Sequence, residues 1–226
     1  MGLIALVVLA VVPLVLWLWL PRAAHSAFRR GDYPRARRLY WLLRLTSLSA
    51  RSRAAIDVSL AACAMATEAF TRALRVLERV EQDALGEAAR AAWLNNRAYA
   101  LVRSGGDPQA ALRDCDQAIA SRPDVAGFHH TRGVVLLALD RVDEAIGELE
   151  RLWDHLAGEG GADQTLLEAE RCYDLGVAWQ KKGDTAYAAD YFQRAYQTAP
   201  GSRWAERAAA HIGPAFESSL VELLES

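Results

Sequence analysis

Three cysteines and one histidine pair are the side chains of this chain best suited to catalysis or metal binding. Cys63, Cys115 and Cys172 lie far apart, and none has a Cys-x-x-Cys partner. The spacing therefore predicts neither a zinc site nor a disulfide framework, and we expect three small buried side chains. His129 and His130 are adjacent, and adjacent helix residues point about 100° apart, so they rarely share a metal ion. We expect one in the core and the other at a surface groove.

The sequence motifs of the common catalytic classes are missing. There is no serine elbow, no metalloprotease motif and no glycine-rich phosphate loop, because the glycines between 158 and 161 lack the Lys and the strand that such a loop needs. We therefore expect a protein that is not an enzyme and that uses no cofactor and no metal.

The elements that position these residues are helices, because apolar residues recur at helical spacing and no alternating strand pattern occurs. The clearest window runs from Leu175 to Pro200. Gly176 has no side chain, so a second helix carrying Ala188 can approach closely while Trp179 and Phe192 fill the space around the crossing. Such a helix pair cannot bury its apolar face alone and needs stacked neighbours.

Earlier stretches of the chain repeat this pattern. In two of the earlier repeats, Glu68 and Asp140 occupy the position that the turn glycine, Gly183, occupies in the last repeat. One small residue recurs in each repeat at intervals of 37, 38, 34 and 43 residues; these are Ala36, Ala73, Ala111, Ala145 and Ala188. The longest interval contains Gly158, Gly160 and Gly161, which predict a loop insertion. The first repeat is atypical, with a first helix that would begin near Pro21.

These positions resemble the tetratricopeptide repeat family over about residues 22–213. The resemblance implies an all-α solenoid of about four to five helix-turn-helix repeats with a capping helix from Ser202 to His211. We expect a transmembrane helix (1–21), a basic juxtamembrane atypical repeat (22–53), a solenoid with its cap (54–213) and a short amphipathic tail (214–226). The tail is either a last helix folded onto the cap or a partner-docking segment.

In that family the first helix of each repeat lines a concave groove that holds a peptide or a partner helix. The resemblance, carried over by register, implies groove residues in repeats three to five: Asn95, Asn96, Tyr99, Arg103, His130, Thr131, Val134, Tyr173, Val177 and Gln180, with Leu137 and Asp174 beside them. In repeat two the equivalent residues are Val58, Ala62 and Met65. The family's chaperone-binding variety grips an acidic terminus with Lys, Asn and Arg, and here only the asparagines are in place.

Residues 2–20 contain no charged side chain, and thirteen of them are Leu, Ile or Val. A helix of that length spans about 30 Å, the thickness of the hydrocarbon layer, so we predict a transmembrane helix. A buried core helix and a cleaved signal peptide are the alternatives. The signal peptide fits less well, because no Lys or Arg precedes the apolar run.

The segment after this apolar run is strongly basic. Nine arginines and one acid give residues 22–56 a charge of +8, so the remainder, 57–226, carries −10 of the chain's total of −2. The positive-inside rule then predicts a single-pass inner (cytoplasmic) membrane protein with its N-terminus outside and its repeats in the cytoplasm. The arginines expected on the lipid surface are Arg22, Arg29, Arg30, Arg35, Arg37 and Arg38. An ordinary solvated helix face would place them equally well, and the acidic remainder argues against nucleic-acid binding.

These features predict a membrane-anchored scaffold or adaptor for protein–protein interactions, acting in assembly or regulation of a membrane complex. The alternatives are a permanent accessory subunit of a membrane enzyme complex and a periplasmic envelope-assembly protein with an uncleaved anchor. The architecture is similar to that of the lipopolysaccharide assembly protein B family, which joins an N-terminal anchor to cytoplasmic repeats. That family ends in a rubredoxin-like metal domain with paired Cys-x-x-Cys motifs, which this sequence lacks.

Overall fold

The computed structural model describes residues 18–151 and 162–212. Every regular element within these two ranges is helical, which confirms the expected all-α class. The chain divides into two compact units, residues 1–104 (unit 1) and 105–226 (unit 2). The predicted loop insertion around residues 158–161 and the predicted tail, 214–226, lie outside the described residues.

Unit 1 consists of successive antiparallel helix pairs. Its described part begins with α1 over residues 18–29 and continues with α2 (Tyr33–Thr46), α3 (Ala50–Ala66), α4 (Phe70–Leu77), a 3-10 turn (Gln82–Ala84) and α5 (Glu87–Arg103). Each helix from α2 to α5 packs against the next along the chain. Leu20, Ala24 and Ala27 of α1 share a core cluster with Ala36 and Tyr40 of α2. Helix α1 runs through Pro21, so the first repeat helix does not begin there as expected.

Unit 2 continues the same pattern. It contains α6 (Pro108–Ser121), α7 (Ala126–Ala138), α8 (Val142–Arg151), α9 (Ala162–Lys182), α10 (Thr185–Thr198) and α11 (Arg203–Ala209), again with neighbours along the chain in contact. Ser202 caps α11 by accepting a hydrogen bond from the Ala205 N–H, and Trp204 of that helix is buried. Glu206, on the other side, is exposed. The predicted capping helix is therefore confirmed.

The small residues of the repeat pattern mark the sites where paired helices touch. All five key alanines are buried, four of them at 0% exposure and Ala188 at 4%. A Cβ atom added to Gly176 would lie 2.6 Å from Phe192 Cδ1, and one added to Gly133 would lie 2.7 Å from Leu149 Cγ. The glycine of α9 thus makes room for the Phe192 ring itself, as the sequence pattern of this repeat predicts.

A residue in the left-handed conformation ends the first helix of each of the five repeats. Glu68 (φ 58°) and Asp140 (φ 61°) adopt the same region as Gly31, Gly105 and Gly183. The position predicted for the turn glycine is therefore a left-handed position whether or not glycine occupies it. An extra residue, Gly106, separates this position from the N-cap Asp107 in the third repeat, as expected.

The localisation predicted from the sequence is corrected by the structure. None of the helices in residues 18–151 and 162–212 is long and apolar enough to cross a lipid bilayer. Residues 1–17, which make up most of the predicted span, lie outside the described part of the chain. Leu20, near the end of the predicted span, is 8% exposed and packs in a core cluster with residues of α2 and α3.

Candidate protein-interaction surfaces

Four predicted groove residues share one face of α5 in unit 1. Asn95, Asn96, Tyr99 and Arg103 lie within an arc of about 100° around the helix axis, and all four are half-buried. Trp93 fixes the helix in place, because its buried indole Nε1 donates a hydrogen bond to Leu77 O at 2.9 Å. We refer to these four side chains as the α5 surface.

The α5 surface combines an aromatic platform with amide groups. The Tyr99 ring packs edge-on against Phe70 with centroids 5.8 Å apart, and the Arg103 guanidinium carbon lies 5.2 Å from the Tyr99 ring centroid. Asn95 Nδ2 donates to Asn96 Oδ1 at 3.5 Å. Asn95 Oδ1 is buried and accepts no hydrogen bond from the described residues. A buried acceptor left this way costs about 1–3 kcal/mol, and a partner N–H reaches it only if the Asn95 side chain turns outward.

The predicted groove residues of repeat four lie in the core of unit 2. His130, Thr131 and Val134 are 2%, 3% and 4% exposed. Thr131 Oγ1 donates to Gly127 O at 3.0 Å within its own helix. These side chains support the unit from inside in this conformation, and their contact with a partner stays a prediction.

The groove residues expected in repeat five are divided between core and surface. The Tyr173 ring lies 5.7 Å from Phe192 and 5.6 Å from Trp204, between centroids, so it packs under the capping helix. Val177 packs against the same cluster, whereas Gln180 is exposed. The structure thus brings Tyr173 and Val177 together as packing residues, and a binding role for the three stays a prediction.

Three buried side chains of unit 2 converge closely enough to hold a divalent cation. The ligand atoms of His130, Glu170 and Asp174 lie within 4.8 Å of one another. His130 Nε2 is 3.2 Å from Asp174 Oδ2, without the alignment of a hydrogen bond. Glu170 and Asp174 each have further interactions, so a buried charged network accounts for the geometry and we assign no metal. The four-residue spacing of the carboxylates on one helix is the signal that sequence inspection missed.

A second network missed from the sequence centres on Glu148. Its carboxylate receives Arg132 Nη1 at 2.8 Å and lies 3.0 Å from His129 Nδ1. Arg132 Nε also donates to Asp116 at 2.9 Å, so the network connects α6, α7 and α8. His129 is therefore held in a structural contact and His130 is the core member of the pair.

The arginines predicted at a lipid surface are all exposed. Arg22 Nη1 donates to Leu18 O at 2.7 Å and Arg30 Nη1 to Ser26 Oγ at 2.6 Å, which are contacts within one helical segment. Arg29 and Arg35 also face outward, as a solvated helix face requires. The remaining two, Arg37 and Arg38, line a cavity between α2, α3 and α4. Lipid contact by these residues stays a prediction.

The three cysteines are free and buried, as expected. Burial raises the pKa of Cys63 to about 11 and that of Cys172 to about 12. Burial raises the pKa of Cys115 as well. The thiols are thus protonated at neutral pH, whereas a nucleophilic cysteine needs a lowered pKa.

Residues 95–160 match the tetratricopeptide repeat family. This part of the chain has tetratricopeptide repeats. The match covers the third and fourth repeats read from the sequence, including the α5 surface. It confirms the repeat class recognised from the alanine and glycine positions.

Solved structures show the same repeat fold. A thermophilic tetratricopeptide protein of Thermus thermophilus, TTC0263, is 20% identical with a TM-score of 0.60, and the alignment covers 87% of this chain and 98% of that one. BtubC of P. vanneervenii is 17% identical with a TM-score of 0.54, covering 80% of this chain and 81% of that one. No curated protein gives a significant match to the chain. At these identities the likeness shows the fold alone.

Proposed function

We propose that this tetratricopeptide-repeat chain is a scaffold that binds protein partners through the α5 surface and assembles them into a complex. The observation that carries the proposal is the buried Asn95 Oδ1, which accepts no hydrogen bond from described residues and gains one when the side chain turns toward a partner. Beside it, Tyr99 offers a half-buried ring and Asn96 a half-buried amide. An extended peptide or a helix end can supply the missing N–H while packing on the ring.

The chain acts by binding and not by catalysis in this proposal. Its three thiols have raised pKa values, which disfavour the thiolate that attacks a substrate. His129 contacts the Glu148 carboxylate and His130 the Asp174 carboxylate in the interior of unit 2. His130 is buried, and both ring nitrogens of the half-buried His129 already contact protein oxygens.

The proposal is tested by affinity purification with crosslinking, using the full chain. The variant carrying Asn96→Ala and Tyr99→Ala should lose its crosslinked partners, since truncating central interface residues typically reduces affinity more than tenfold. Arg90→Ala is the matched control, because Arg90 is exposed on the opposite side of α5. Retention of the same partners by the double variant would contradict the proposal.

A second variant separates binding from folding. Asn95→Ala removes the buried acceptor that has no hydrogen-bond donor, so the free energy of unfolding should stay the same or rise. Partner binding should nevertheless weaken, because the acceptor for the partner N–H is gone. Unchanged binding would show that the Asn95 carbonyl does not contact the partner.

A further inference from the structure

A basic groove lies in unit 1, on a face of α3 different from the one expected to bind partners. It is a cavity of about 1010 Å³ between α2, α3 and α4, with Leu60 and Cys63 of α3 among its lining residues. The predicted groove positions on α3, Val58, Ala62 and Met65, point roughly the opposite way around the helix axis. The basic groove is therefore a separate surface from the one implied by the repeat register.

The charge of the basic groove is strongly positive. Its lining contains five arginines (Arg37, Arg38, Arg44, Arg72 and Arg79) against one carboxylate, which is a net charge of +4. Asp57 is already paired with Arg44. Arg38, Arg72 and Arg79 are exposed and form no ion pair within the described part of the chain. The groove thus presents unneutralised positive charge to an incoming ligand.

The basic groove also exposes large apolar side chains. Trp41 is 55% exposed and Leu42 is 45% exposed, and both line the cavity with Leu60 and Val76. Large apolar side chains exposed together mark interaction sites more often than single ones do. Arginines around an apolar lining suit a helix with one apolar face and acidic residues on its other side.

We propose that the basic groove of one copy of this chain binds residues 213–226 of a second copy. This segment contains Glu217, Glu222 and Glu225 and no Lys or Arg. Phe216 and Leu220 are spaced four residues apart, and Leu224 follows four residues later, so a helical conformation would place them on one face. The segment matches the groove in charge and in apolar pattern.

The charge distribution of the chain favours binding between copies. Residues 22–56 carry +8 and the remainder carries −10, so the basic part of one copy attracts the acidic part of the next. A groove and a segment at different places on the surface make a heterologous contact, which extends into open chains of copies. The proposal is independent of the α5 surface, which stays accessible to other partners.

Sedimentation equilibrium of the full chain over a range of concentrations and at low salt tests this proposal. Wild type should self-associate, and raising the salt should weaken the association. Two variants should be monomeric. The groove variant carries Arg38→Glu and Arg72→Glu, and the tail variant has Glu217, Glu222 and Glu225 each changed to Arg. Arg75→Glu is the matched control, because Arg75 is exposed on α4 outside the groove lining. A wild type that is monomeric at every concentration would overturn the proposal.

Mixing the two monomeric variants gives the sharpest result. The groove variant keeps the wild-type tail and the tail variant keeps the wild-type groove, so these two unchanged partners should bind each other. The altered groove, whose lining has no net charge, cannot extend the contact, so the mixture should form one-to-one dimers. No association in the mixture, or association of either variant alone, would overturn the proposal. A different outcome would be a wild type that does not self-associate but binds nucleic acid, with that binding lost in the groove variant. This result would assign the groove to nucleic acid and would also overturn the proposal.

A peptide measurement checks the segment directly. A fluorescein-labelled peptide of residues 213–226 should bind the full-length tail variant, whose own segment cannot compete. Adding Arg38→Glu and Arg72→Glu to the tail variant should weaken peptide binding about tenfold or more. Adding Arg75→Glu instead should leave peptide binding unchanged. A scrambled peptide of the same composition should bind more weakly, and equal binding would refute recognition of the apolar face.

Discussion

Replacement of Gly176 by alanine tests whether close packing at the α9–α10 crossing specifies the last repeat. The added Cβ would lie 2.6 Å from Phe192 Cδ1 and 2.7 Å from Phe192 Cε1, closer than carbon atoms pack. Phe192 is 2% exposed, and its ring stacks on His211 with centroids 4.2 Å apart. The ring cannot move away without breaking that contact, so either Phe192 or α9 must shift.

The expected magnitude is the difference between two opposing effects. Gly→Ala inside a helix stabilises by about 1 kcal/mol through helix propensity, whereas overpacking a close-packed core costs about 1–3 kcal/mol. Because the contact is well inside van der Waals distance, we expect overpacking to win and the free energy of unfolding to fall by about 1–2 kcal/mol. Gly147→Ala is the matched control. It lies in α8, where an added Cβ would have no neighbouring atom within 4 Å, so it should stabilise by up to about 1 kcal/mol.

Urea unfolding of the full chain, followed by circular dichroism, measures both variants, and hydrogen exchange at α9 and α10 amides locates the effect. Phe192→Leu should destabilise the wild type but should cost less in the Gly176→Ala background, because the ring that meets the new methyl group is gone. Gly176→Ala with stability equal to or above that of Gly147→Ala would refute the reasoning.

Four further predictions concern turns, caps and thiols. Glu68→Gly should raise the free energy of unfolding by about 0.5–1 kcal/mol, because Glu68 holds φ 58°, whereas Glu68→Ala should bring no such gain; urea unfolding compares them. Asp184→Ala should lower the free energy of unfolding by about 1 kcal/mol, because the Asp184 side chain caps α10 by accepting a hydrogen bond from the Tyr187 N–H. Asp184→Asn should keep most of this stability. The Cys63 thiol, with its pKa raised from 9.0 to about 11, should react with a disulfide reagent at pH 8 about a hundredfold more slowly than a free thiol, and a rate near that of a free cysteine would contradict its burial. Since the unfolded thiol ionises first, the contribution of Cys63 to stability should fall as pH rises from about 9 to 11, and Cys63→Ala should lose this part of the pH dependence.

The repeat pattern was predictable because it depends on contacts within one helix pair. The key alanines and Gly176 record how closely two neighbouring helices approach, and that distance is set locally. The same reasoning located the left-handed turn at Glu68 and Asp140, where the residue type alone would not suggest it. The predicted membrane localisation was wrong, because a uniformly apolar segment can be surrounded by protein as well as by lipid. Leu20 of that segment packs in the protein core.

The binding residues were less predictable, because register along a helix gives a direction but not what lies in that direction. Tyr173 was expected at a groove, yet Trp204 of the capping helix packs against its ring. Similarly, the carboxylate near His130 is on α9, 44 residues further along the chain. Contacts between helices this far apart in sequence depend on the stacking of several repeats, which no single repeat pattern contains.

The contrast between α5 and α7 shows what distinguishes a candidate binding surface from a packing surface in this fold. Both helices carry polar residues at the groove register, but Thr131 of α7 uses its hydroxyl inside its own helix and is 3% exposed. Asn95 of α5 is half-buried and keeps an acceptor that the described residues leave unused. A partly desolvated polar group without a hydrogen bond gains a new one when a partner binds. A group that is already bonded inside the protein gains none, so the first contributes more to the free energy of binding. Binding in this chain should therefore depend on α5 more than on α7, although the two helices occupy equivalent places in their repeats.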